Sequence, residues 1–416
     1  MHLRHNPLEC NMEGFDQNNV WRLRLARYFQ KALGCAELSP IYLESVQLQS
    51  LFKEFEEGVT SVCVIGESCE AGKSNFINAL SGESILPTDD IPCTSDIPHR
   101  VKFGANPKAM LYFQFPFSMD YRETLPNDII DYLKWNNYGK DSYGNDIQIP
   151  ALEYSFQDSL SFVRHPEIPE NILFSGDSED LVLYLSQYYN SRSAFSSIEL
   201  YYPSELLKKR IALAEISVRR FGSDSFTTRK TVELLQKIDV VLYVTDAMKP
   251  FCEYERKFIE ELQKLFQIDF YGIVANRIDL CSRRDRIELY FKALASEHIP
   301  NNSVFCVSAK EALDAYKEGN DELLQKSGIP KVKDFIEQLA VGKERERFIA
   351  SSKELKDIIC NSMLPSIKSE ISKTFGEHRV EKMGNLIFIS TELQSVVVGL
   401  NKLIDEIETQ TSNETK

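Results

Sequence analysis

Ser61-Val-Cys-Val-Ile65-Gly66-Glu67-Ser68-Cys69-Glu70-Ala71-Gly72-Lys73-Ser74-Asn75-Phe-Ile-Asn-Ala-Leu80 reads as a buried strand that breaks at a glycine, a short loop, and a helix opened by Lys-Ser. Backbone N–H groups at a helix start point along its axis, and the helix dipole favours negative charge there, so this arrangement suits a phosphate cradle. In that reading Lys73 reaches the β- and γ-phosphates and Ser74 holds Mg2+. The loop departs from the usual pattern in one respect: five residues rather than four separate Gly66 from Gly72. The extra length brings in Glu70, which repels phosphate unless it points outward. Alone, the stretch is either a nucleotide loop or a coincidence of composition.

Two later segments bear on the choice. Asn276-Arg277-Ile278-Asp279 follows the apolar run 271–275 and resembles the N/T-K-x-D element of GTPases, with Arg in place of Lys. A carboxylate such as Asp279 accepts hydrogen bonds from guanine N1–H and its exocyclic amine together, a pair that adenine does not offer. The aliphatic stem of Arg277 can lie against the base. Ser308-Ala309-Lys310 follows the run 304–307 and looks like the S-A-K element whose backbone contacts the guanine carbonyl. Either segment alone is equally an ordinary turn. All three in this order, each at the end of an apolar strand where open α/β sheets bind ligands, predict a guanine-nucleotide site for GTP or GDP.

The surroundings narrow the resemblance. Asn75-Phe-Ile-Asn-Ala-Leu80, Ile85-Leu-Pro-Thr88 and Pro92-Cys-Thr94 resemble the G domains of the dynamin superfamily, bacterial dynamin-like GTPases in particular. The resemblance implies that Thr94 closes over Mg2+ and the γ-phosphate, the alternative being a plain loop residue. Ile198–Leu207, Asp246, Pro250 and Glu255 also follow the family's pattern. Implied with it is an α/β P-loop GTPase fold over residues 59–340, a mostly parallel sheet flanked by helices. The helical segments 1–58 and 341–416 then form a neck and short stalk from both chain ends, without a membrane-touching tip. Glu215-Ile-Ser-Val218 departs from the family's D-x-P-G: the carboxylate is longer, and a β-branched residue stands where backbone should approach phosphate closely. Gly222 is the one nearby glycine that a shifted register would use.

Apolar periodicity supports the flanks. Residues 20–57 read as helical, with Trp21, Leu25, Tyr28 and Ala32 on one face, a cap at Ser39-Pro40, and Ile41, Leu48, Leu51 and Phe55 beyond. Leu355, Ile359, Met363, Ile367, Ile371 and Phe375 recur every four residues, with Pro365 expected to kink the helix. Leu386, Ile389, Leu393, Val396, Leu400, Leu403 and Ile407 form a heptad-like seam, and the end from Thr409 reads as frayed. Both stripes are read as packing on neighbouring helices, with self-association the alternative. The interval 116–197, rich in Tyr, Asn, Asp and Ser, breaks the α/β alternation and receives no assignment.

Composition sets limits. Sixty-two acidic against 48 basic residues give a net charge of −14, which opposes bulk attraction to nucleic acid. Nine scattered cysteines without C-x-x-C suit buried thiols in a reducing compartment. No uninterrupted run approaches the ~18 apolar residues of a spanning helix, so the expected location is cytoplasmic, with peripheral membrane contact open. Two functions remain: a dynamin-like GTPase that dimerises across its nucleotide face, as a homodimer or heterodimer, and a GTP-binding subunit without turnover that serves a dynamin-like partner chain. A P-loop kinase or ATPase is disfavoured by Asp279 and Ser308–Lys310.

Overall fold

All six residues of the strand β1 (Thr60–Ile65) are buried. A strand with no exposed face must lie inside a sheet that is covered on both sides. The computed structural model builds that sheet; it describes residues 7–38, 42–66, 71–86, 88, 99–113, 174–175, 195–216, 235, 238–249, 253–266, 270–295, 303–376 and 380–414. The chain divides into two compact units, Thr60–Ile336 and Met1–Val59 with Glu337–Lys416.

In the first unit the further strands are β2 (His99–Phe103), β3 (Lys108–Phe113), β4 (Phe174–Ser175), β5 (Phe195–Tyr202), β6 (Ile211–Glu215), β7 (Val240–Asp246), β8 (Phe270–Asn276) and β9 (Val304–Cys306). Their order across the sheet is β4-β3-β5-β2-β6-β1-β7-β8-β9. The strands β6, β1, β7, β8 and β9 run parallel. β2 is antiparallel to β6 and parallel to β5, and β3 is antiparallel to both β5 and β4. The apolar runs read as strands thus fall in the parallel half. The wing β2-β5-β3-β4 carries little sequence signal, since β2 alternates Val101 with Arg100 and Lys102. Of the interval 116–197, only 174–175 and 195–197 are among the described residues, as β4 and the start of β5.

The parallel half explains where a site can form. Cys63, Ile65, Val241 and Tyr243 pack with Phe258, Ile259, Leu262 and Phe291 of the helices Glu253–Phe266 and Arg284–Ala295 on one face. Val62 and Val64 alternate to the other face and are equally buried. Strands that are parallel end together, so the loops after β1, β6, β7, β8 and β9 converge on one edge.

The second unit is helical. Trp21, Leu25, Phe29 and Ala32 of the helix Pro7–Glu37 share one core with Leu48, Leu51 and Phe55 of the helix Tyr42–Glu57. Leu355, Ile359, Met363 and Ile367 join them, as do all seven seam residues of the helix Val380–Glu414. Within this unit both stripes therefore pack on neighbouring helices. A buried polar cluster fixes the alignment: Asn18 Nδ2 donates to Glu344 Oε2 at 3.0 Å and to Val341 O at 3.1 Å, and Arg22 Nη2 donates to Glu344 Oε1 at 3.0 Å.

Several expectations need correction. The first helix begins at Pro7 rather than near residue 20, a position where proline's missing N–H costs nothing. The cap at Ser39-Pro40 and Ile41 lie outside the described residues. Phe375, read as the end of a buried stripe, is 69% exposed. Ahead of Pro365 the chain makes a π-helical turn, Ile359–Met363, which widens the spiral where proline removes an amide donor. The last helix is not frayed from Thr409 but runs to Glu414. The hydroxyls of Thr409, Thr411 and Ser412 donate to the carbonyls of Asp405, Ile407 and Glu408 one turn back, so these polar residues occupy the helix without exposing backbone. Among the described residues one helix, at Val380–Asn413, is long enough to cross a membrane and contains an 18-residue stretch apolar enough by composition, with a mean hydropathy of 1.3. Counting uninterrupted runs misses it because Glu392, Gln394 and Ser395 divide the apolar positions. Its seam lies in the helical core.

Candidate functional site

The edge is organised first by two glycines. A Cβ on Gly66 would lie 2.3 Å from the Val244 carbonyl oxygen, so only glycine lets β1 leave the sheet beside β7. Gly72 has φ 72°, the left-handed region, and a Cβ there would lie 2.7 Å from Asn276 Nδ2. From Gly72 the helix Lys73–Ser81 starts at once, with Phe76 N donating to Gly72 O at 2.9 Å. Lys73 and Ala71 are buried at its start. Glu67, Ser68, Cys69 and Glu70 lie outside the described residues, as does Thr94. Further along the same helix, buried Asn78 organises the chain that leaves it. Its Oδ1 accepts from Ile85 N and Leu86 N at 3.0 and 2.8 Å, and its Nδ2 donates to Leu86 O at 2.8 Å.

Glu215 completes the phosphate end. It is the last residue of β6, opposite Val64 of β1, and its Oε2 accepts from Ser74 Oγ at 2.8 Å. Burial pushes its carboxyl above the usual carboxylate range; the Lys73 charge and the Ser74 hydrogen bond oppose that rise. The longer side chain thus still reaches the phosphate-loop serine. Two hard oxygen donors beside a buried lysine fit a hydrated Mg2+ carried by phosphates. Ile216 is buried at the end of this segment, and residues 217–222 lie outside the described residues.

The base end is tied to the phosphate end by one side chain. Asn276, at the end of β8 and 1% exposed, donates from Nδ2 to Ala71 O at 3.1 Å and Gly72 O at 3.2 Å. Its Oδ1 accepts from Arg277 N at 2.8 Å and Ala309 N at 3.1 Å. Asn276 is therefore a strut joining Ala71 and Gly72 to the segments at Arg277 and Ala309, the three stretches in which the sequence suggests phosphate and base contacts. Asp279 Oδ1 accepts from Ser308 Oγ at 2.6 Å, which fixes the carboxylate plane. Ser308 also caps the helix Ala309–Glu318 by accepting from Glu311 N. With the Ala309 amide given to Asn276 and that of Glu311 to Ser308, Lys310 N–H is the first-turn amide left to meet a ligand oxygen. Beside this, Arg284 forms a two-pronged pair with Glu311 at 2.9 and 2.6 Å.

Of the residues singled out from sequence, Gly66, Ala71, Gly72, Lys73, Ser74 and Asn75 are brought together with Asn276, Arg277, Asp279, Ser308, Ala309 and Lys310 along this edge. Sequence reading treated Glu215 as a degraded motif; here it is part of the phosphate end. Asp246, noted only as fitting a pattern, binds Arg277: Nη1 donates to Asp246 Oδ2 at 3.0 Å. Among the described residues no group of three His, Cys, Asp or Glu is disposed to hold a metal ion.

No family model matches the chain. It is 24% identical over 336 residues to Dynamin-like protein 1 of Campylobacter jejuni, covering 75% of this chain and 42% of that protein. Identity to the bacterial dynamin-like protein of Nostoc punctiforme is 22% over 357 residues, covering 79% and 43%. For Dynamin-like protein A of Bacillus subtilis it is 22% over 329 residues, covering 75% and 27%. Two solved chains of an oligomerised bacterial dynamin pair, which provides a mechanism for long-range sensing and tethering of membranes, share the fold with TM-scores of 0.52 and 0.50 at 22% and 21% identity. Each match covers 97% of this chain and 53% of the solved one. This chain spans about half the length of these proteins, or less.

Proposed function

We propose that the chain carries a G domain of the dynamin superfamily, like the bacterial dynamin-like proteins it resembles, and that it binds GTP with Mg2+ and hydrolyses it slowly to GDP and phosphate, pairing with a second G domain across the nucleotide face. The observation that supports this reading is the Asn276 strut, which ties Ala71 and Gly72 to Arg277 and Ala309 and would let one edge hold both triphosphate and base. Ser74, with Glu215 beside it, would hold the Mg2+, with Thr94 joining them in the family pattern; the bound ion offsets charge on the phosphates. Lys73 and the amides at the start of its helix bind the β- and γ-phosphates, and Asp279 selects guanine. Attack of water on the γ-phosphorus breaks its bond to the β-γ bridging oxygen, a step that needs positioning and charge neutralisation rather than covalent help from the protein. In this proposal the unit Thr60–Ile336 is the G domain, the helical unit is a neck and short stalk, and membrane contact is peripheral.

Phosphate release from GTP by the full chain, abolished by Lys73→Ala, is the expected result. Micromolar GTP binding without release, alone or with a dynamin-like partner, would favour the second reading, a GTP-gated subunit. That reading rests on Glu215-Ile-Ser-Val218 in place of the family's D-x-P-G, with valine at the glycine position. Equal binding of ATP and GTP, unaffected by Asp279→Ala, would remove guanine recognition from either reading.

A further inference from the structure

We infer that Asp246 is a positioning residue that pins the guanidinium of Arg277 so that the arginine stem forms a fixed platform for the purine ring; this rests on the guanine-binding reading above. The two residues are brought together by strand register. Asp246 is paired with Asn276 at the ends of β7 and β8, and Ala247 N donates to Asn276 O at 2.8 Å. The Asp246 carboxylate is 4% exposed, with Oδ1 accepting from Met248 N at 2.9 Å and Oδ2 from Arg277 Nη1 at 3.0 Å. A carboxylate this deeply buried is unfavourable without a cation, and Arg277 supplies one.

Arg277 is held at both ends. Its backbone sits at φ 70°, a left-handed conformation uncommon outside glycine, and its amide is taken by Asn276 Oδ1. Its far end is taken by Asp246, yet the side chain remains 41% exposed. A chain fixed at root and tip, exposed between, and two residues from the base-reading Asp279 offers a flat apolar surface already ordered before ligand arrives. Ordering it in advance removes a rotamer cost from binding. The forked, planar guanidinium suits this better than lysine, because one amino group can bind the carboxylate while the plane still stacks on an aromatic ring.

The test is a fluorescent-GDP titration of the full chain and three variants: Asp246→Asn, which keeps the shape; Arg277→Met, which keeps an unbranched stem at a part-exposed position; and the double variant. Each single change is expected to weaken binding by about tenfold, the scale of an ordered cation–aromatic contact. The double variant should bind no more weakly than either single one, because Asp246 acts only through the arginine. The preference for GTP over ITP, which Asp279 sets, should stay unchanged in all three. Additive losses, near a hundredfold in the double variant, would assign Asp246 a structural role and overturn the inference. Undiminished binding by Arg277→Met would overturn it too, even if Asp246→Asn failed to fold. A wild-type chain that does not bind the probe would instead bring down the guanine-binding reading itself.

Discussion

Replacing Asn276 by alanine tests the architecture of the site more sharply than removing any group that touches nucleotide. The side chain makes four hydrogen bonds with a protein group at each: Ala71 O, Gly72 O, Arg277 N and Ala309 N. At a net ~0.5–1.5 kcal/mol each the sum is about 4 kcal/mol, less whatever water recovers on entering the vacated space. A loss of about 3 kcal/mol from the unit Thr60–Ile336 is the working figure, equivalent to a fall in melting temperature of roughly 5 °C for a unit of that size. If half of that loss appears as mispositioning of the phosphate loop against the base-reading turn, GDP affinity drops by about tenfold. Calorimetry on the full chain with and without GDP measures both effects. Hydrogen exchange supplies the residue-level check, because the Arg277 and Ala309 amides lose their acceptor and should speed up by more than the amides inside β1, which report only the loss of global stability. A variant that melts within about 2 °C of the parent and binds GDP equally well would refute the strut, and with it the claim that base and phosphate ends are mechanically joined.

Three further outcomes follow from the same geometry. Gly66→Ala should abolish nucleotide binding and lower stability by about 2 kcal/mol or more, since its Cβ meets Val244 O at 2.3 Å and neither backbone can give way; binding within twofold of the parent by titration would contradict this. Glu311 is held below its ordinary value of 4.5 first by the hydrogen bond from Arg284 and then by the charges of Arg284 and Lys326. A depressed carboxyl stabilises the fold above its unfolded pKa and loses that contribution as pH falls through the folded one, so the gap between the parent and Glu311→Gln, about 1 kcal/mol at neutral pH, should close below pH 4.5 in urea titrations rather than persist into acid. Leu393→Ala, fully buried in the helical core, should cost about 2–5 kcal/mol in the unit Met1–Val59 with Glu337–Lys416, and guanine-nucleotide affinity measured below its melting point should not change.

How much of this was legible beforehand depends on whether a residue's partners are near in sequence or only in space. The run through Ser61–Leu80 announces its strand, its loop and its helix because each is a local pattern, and Asp279 with Ser308 is readable because its two elements lie at the ends of successive strands. The bundle seam at Leu386–Ile407 is legible for the same reason, a period of three and four written along one helix. The wing β2-β5-β3-β4 is not, since short strands such as His99–Phe103 mix charge with apolar residues and their pairing is long-range.

The same contrast explains Glu215. Read against a motif, it is a worn aspartate; placed on β6 in register with Val64, it stands where one extra methylene brings its oxygen within 2.8 Å of Ser74 Oγ. A motif records which side chain the family uses, whereas the strand register fixes what that side chain must reach. Where register brings two strand ends together, as it does again for Asp246 and Asn276, a changed residue can keep its partner. Val218 differs in kind, because no side-chain length restores the close backbone approach that glycine permits. The Glu215 substitution therefore weighs less against turnover than Val218 does.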